Sequence, residues 1–123
     1  MTMYAALLYY PPDRYWLSPA EAHTTSGYPQ FFGAATAAGV LRAGEALYPP
    51  QTACTVTVSG DAGGDVQIKD GPHLQTADVL GGFYVIEAAD ISEAAGWAAQ
   101  IPAAWRGAVE LRPIVPMENK PGQ

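Results

Sequence analysis

A histidine three residues beyond an aspartate is the part of this chain best suited to moving protons. His73 closes the segment Asp70-Gly71-Pro72-His73, and imidazole is the side chain whose ordinary pKa, about 6.5, lies closest to neutrality. It reads either as a general acid or base or as a solvent-exposed loop side chain. Asp70 is first of all a turn residue, because Asp bonds its own backbone and the following Pro fixes φ. In a catalytic arrangement it would also set the tautomer of His73. Glu45 and Arg112 stand in strand-like runs, where an ionisable group must face water or find a partner. Paired and buried they would hold a polar small molecule; paired at a sheet edge or dimer seam they would be structural. Tyr28 and Trp16, on either side of an interrupted helical stretch, are expected to wall an apolar pocket with polar tips.

Other chemistries are excluded by what is missing. His23 and His73 with Asp70 lack the close ligand spacing of a metal site, and the lone Cys54 cannot form a thiolate cage or an intrachain disulfide. Cys54 reads as a small strand residue in Cys54-Thr55-Val56-Thr57-Val58, with no base near it in sequence. The glycines from Gly60 to Gly64 have neither the spacing of a phosphate loop nor a helix after them. No cofactor is therefore expected.

The elements that must position these residues follow from periodicity and punctuation. Met3 to Tyr10 is an apolar, aromatic run halted by Pro11-Pro12, as a buried strand would be. Ser18-Pro19-Ala20-Glu21 predicts a short helix to about Thr25, and a second is expected over Tyr28 to Ala38, closed by Gly39. Val40 to Leu47 predicts a strand. Ala53 to Ser59 and Asp65 to Lys69 predict a hairpin about the intervening glycines. A long loop, Asp70 to Leu80, leads to a strand over Gly82 to Ala88. Asp90-Ile91-Ser92-Glu93 is a capping box opening a helix to about Gln100, and Gly107 to Pro113 is the last strand.

Strand, helix, strand, hairpin, strand, helix, strand is the order of a ferredoxin-like βαββαβ domain with an inserted β-hairpin. The fold class is α+β, with one antiparallel sheet and both helices on one face. At 123 residues the chain fits a single domain, taken as residues 1–117 with a loose polar tail from Glu118 to Gln123. Apolar residues make up 49% and charged ones 15%, less charge than a lone monomer usually shows to water. The sheet face without helices is therefore expected to pack against a second copy, giving a homodimer, a dimeric α+β barrel. The net charge of −6 and the scatter of the basic residues exclude nucleic acid and an anionic membrane surface as partners. With no signal-peptide pattern at Met1 to Tyr10 and no spanning segment, the expected location is cytoplasmic.

Lys69-Asp70-Gly71-Pro72-His73, with Leu80-Gly81-Gly82-Phe83-Tyr84-Val85-Ile86-Glu87, resembles the YCII-related family, and within it the subgroup with an Asp-Gly-Pro-Phe signature. Further segments agree in order: Ala38 to Leu41 with Ala43 to Leu47, Trp97-Ala98 with Ile101 to Ala104, and Val109 to Pro113. The resemblance implies a dimeric α+β barrel. It implies little about activity, since most members have none assigned. The branch with a proposed His and Asp pair carries it around the first helix, at positions that fall near Tyr28 and Ala37, and neither residue fits. His73 stands where the signature has Phe, and Gln75 where an acidic residue is usual.

The function expected from these residues is the binding of a small carbonyl or phenolic compound. One form is a cofactor-free enzyme using His73 for acid/base chemistry of an isomerase, lyase or cyclase type, with Glu45 or Arg112 holding the substrate. A non-catalytic ligand-binding or regulatory dimer and a cofactor-free monooxygenase are the alternatives.

Overall fold

The computed structural model describes residues 1–14 and 27–117. Its sheet is made by β1 (Thr2–Tyr10), β2 (Leu41–Ala46), β5 (Val79–Ala88) and β6 (Ala108–Pro113), in the order β2-β5-β1-β6 and antiparallel throughout. The remaining strands, β3 (Cys54–Ser59) and β4 (Asp65–Asp70), pair only with each other in a two-stranded ribbon between β2 and β5. Helix α1 (Tyr28–Ala37) links β1 to β2, and α2 (Ile91–Ala98) with the short α3 (Pro102–Arg106) links β5 to β6. This is the expected α+β, ferredoxin-like arrangement with its inserted hairpin.

Side-chain alternation decides which sheet face is covered. Along β1, Tyr4, Ala6, Leu8 and Tyr10 are buried while Met3, Ala5, Leu7 and Tyr9 are only half-buried, the two-residue period of a strand. The buried set meets Phe31 and Ala35 of α1, Ala94 and Ala98 of α2, and Ile101 and Ala103 around α3. Small alanines let these helices approach the sheet closely. The opposite face carries Met3, Ala5, Leu7, Phe83 and Val85, with no element of the described chain packed over it.

Helix α2 starts where the capping box lies. The Asp90 carboxylate accepts from the Glu93 amide at 2.9 Å, and the Glu93 carboxylate accepts from the Ala89 amide at 3.2 Å. Two details depart from expectation. The helix stops at Ala98, and a separate helix follows with Pro102 in its first turn, where a missing amide proton costs nothing. Trp105 closes this corner by donating its indole N–H to the Ala99 carbonyl at 2.7 Å. The last central strand also begins earlier, at Val79, because Gly81 bulges out between the Leu8 and Tyr9 pairings. The helix expected from Ser18 to Thr25 and the tail from Glu118 lie outside the described residues.

Candidate functional site

Where α1 crosses the edge strand β2, an open cleft of about 250 Å³ is walled by Phe32 and Thr36 of the helix and by Leu41, Arg42, Ala43 and Gly44 of the strand, with Tyr84 as its floor. Each wall has a local cause. Leu41 pairs with Ile86 and Ala43 with Val85, so Arg42 is an extra residue in the strand, a bulge that turns its side chain out of the regular alternation. Its guanidinium donates to the Glu87 carboxylate at 2.9 Å and keeps further N–H groups for another acceptor. Gly44 lies directly opposite Tyr84, and a Cβ there would sit 2.4 Å from the Tyr84 ring. Only glycine lets that ring lie against the strand. The ring is also tilted against Phe31, with centroids 4.9 Å apart, an arrangement aromatic pairs favour.

Burial pushes the Tyr84 phenol above its usual pKa, because a phenolate loses more by leaving water than a phenol does. At neutral pH it is therefore a proton-bearing group. The residues around the cleft thus include the hydroxyl-bearing Thr36 and Tyr84, the cationic Arg42, and the apolar Phe32 and Leu41. Among the described residues, no His, Asp or Glu lines it.

The residues singled out by type are scattered across the fold. Asp70 ends β4, opposite Cys54, and His73 follows on an exposed loop; both are exposed and neither lines the cleft. The turn role of Asp70-Gly71-Pro72 is well supported. Gly71 has φ of +101°, its amide donates to the Ala53 carbonyl at 2.8 Å, and its carbonyl accepts from the Thr55 hydroxyl at 2.8 Å. A positive φ of this kind favours glycine.

Glu45 and Arg112 share the uncovered sheet face but stand on its two outer strands, with β5 and β1 between them. At about 4.8 Å per strand they are at least about 14 Å apart, so the expected Glu45–Arg112 pair does not form. Arg112 instead bonds Glu110 on its own strand at 2.6 Å. Tyr28 opens α1 and packs half-buried against the core; its hydroxyl is buried without a hydrogen-bond partner among the described residues. Trp16 and His23 lie outside the described residues. Among those that are described, no three His, Cys, Asp or Glu converge as metal ligands, and no helix is long and apolar enough to cross a membrane.

Sequence reasoning singled out none of Phe32, Arg42 and Tyr84 as site residues. One signal was available, a glycine in mid-strand at Gly44, which marks a bulge or a close approach. No curated protein matches the chain. The model of the YCII-related domain matches residues 2–118, nearly the whole sequence, and with the sheet order found here the chain belongs to the YCII-related family.

Proposed function

We propose that this protein binds a compact carbonyl or phenolic compound in the cleft between α1 and β2, and that it acts there as a ligand-binding protein. The observation that carries this reading is the make-up of the wall: hydroxyl-bearing residues and one cation over an apolar rim, with no His, Asp or Glu among the described lining residues. Such a wall suits a carbonyl, carboxylate or phenolate oxygen directed at Arg42, with the rest of the molecule against Phe32 and Leu41. Pockets for drug-sized ligands run to about 300–1,000 Å³, so a cleft of about 250 Å³ selects a single ring or a short chain.

The protein works as a homodimer closed through the uncovered sheet face, whose centre is apolar and whose Glu110–Arg112 pair is internally balanced. The Asp-Gly-Pro-His segment, which differs from the Asp-Gly-Pro-Phe signature in its last residue, supports kinship with that subgroup.

The test is a titration of the protein with benzoate, 4-hydroxybenzoate and short 2-oxo acids, followed by amide NMR shifts. Shifts centred on Thr36, Gly44 and Tyr84 are expected. Arg42→Met and Phe32→Ala should each weaken binding at least about tenfold, the equivalent of one good charged or apolar contact. Shifts confined to the Asp70–His73 loop, or affinities indifferent to both substitutions, would sink the reading.

A further inference from the structure

The β3–β4 ribbon is built inside out for a free-standing element. Register pairs Val56 with Ile68 and Val58 with Val66, and since side chains alternate along a strand these four share one face with Cys54 and its partner Asp70. The other face carries Thr55, Thr57, Ser59, Asp65, Gln67 and Lys69. The apolar face is the one left open: Val56, Val58, Val66 and Ile68 are 58%, 45%, 61% and 69% exposed. An isolated two-stranded hairpin is marginal in water even when its surface suits it. This one makes no extended contact with the sheet or the helices, so no element among the described residues covers the stripe.

We propose that the apolar stripe of this ribbon docks on a second copy of the chain, as an arm that reaches across the dimer seam. Area and charge both point to a second copy. The uncovered sheet face measures about 19 Å across its strands and about 20 Å along the shorter ones, a footprint of about 400 Å². The ribbon adds about half as much again, bringing the total nearer the roughly 800 Å² that each partner of a stable complex buries. Charge would ordinarily resist self-association in a chain of net charge −6. The stripe formed by Val56, Val58, Val66 and Ile68 is itself uncharged, with Asp70 at its end opposite Cys54, and Glu110 and Arg112 on the sheet face are paired with each other. These are the surfaces where two acidic copies meet with least repulsion. The inference extends the dimer reading, with a contact that a sheet-to-sheet pair alone would not make.

The experiment is sedimentation equilibrium on three proteins: the wild type, a ribbon variant with Val56→Thr, Val58→Thr, Val66→Thr and Ile68→Thr, and the sheet-face variant Val85→Lys. Threonine keeps the branched shape and strand preference of valine while removing its apolar surface. Far-UV circular dichroism checks that each variant is folded. The wild type should be dimeric, and the ribbon variant should dissociate at least about a hundredfold more readily, four lost apolar contacts on each arm. Ribbon amides should be protected from hydrogen exchange in the concentrated wild type and lose that protection on dilution. A ribbon variant that dimerises like the wild type overturns the arm, whatever Val85→Lys does. Loss of the dimer in the ribbon variant but not in Val85→Lys upholds the arm and removes the sheet-to-sheet reading. A wild type that is monomeric throughout overturns both.

Discussion

Tyr84 joins three features of the molecule: it faces Gly44 across the strand pair, it packs tilted against Phe31, and it lines the cleft. Its raised pKa has a consequence for stability. The unfolded chain releases this proton at about pH 10, whereas the folded chain holds it to higher pH. Between those two values the folded state binds more protons than the unfolded one, so stability falls as pH rises. The contribution is intact below about pH 10 and is lost as pH climbs through the folded-state value. Urea unfolding followed from neutrality to alkaline pH should therefore show a steeper loss in the wild type than in Tyr84→Phe. Parallel curves would mean that the phenol is not desolvated as described.

At the scale of single elements, α1 and α2 both start where the sequence led one to expect, at Tyr28 and Ile91. Asp90 bonds the Glu93 amide, and Asp90→Ala should cost about 1 kcal/mol in chemical unfolding. A change below about 0.3 kcal/mol would show that tertiary packing of Ala94 and Ala98, not the cap, holds the helix start. The break between α2 and α3 was less legible. Ile101-Pro102 signals both an end and a beginning, and only the burial of Pro102 and Ala103 against β1 and β6 shows that a second helix follows. The ribbon strands were readable from Thr and Val alternation. That their apolar side would face outward was not, because alternation sorts residues into two faces without saying which one is covered.

For the molecule as a whole, the uncovered sheet face and the ribbon stripe lead to one thermodynamic expectation. If folding and association are linked, the thermal midpoint rises with protein concentration. Unfolding scans at several concentrations spanning the dimer dissociation constant should show that rise for the wild type and lose it in the ribbon variant. A midpoint independent of concentration in both would leave the single chain as the cooperative unit and would count against both association proposals.

The order of strands, the hairpin between β2 and β5 and the capping box at Asp90 could all be read from local pattern, because each depends on residues near one another in sequence. The family could be read for the same reason, from short segments in a fixed order. The site could not. Phe32, Arg42 and Tyr84 come from three separate elements, and their meeting depends on a bulge at Arg42 and on the space left by Gly44. Glu45 and Arg112 show the converse: their types invite pairing, but strand order puts them on opposite edges of the sheet. His73 had the most suitable chemistry and the least suitable place, on an exposed loop outside the cleft. Side-chain type limits what a residue can do, while long-range pairing and burial decide what it meets, and neither is encoded within a few residues of the side chain itself.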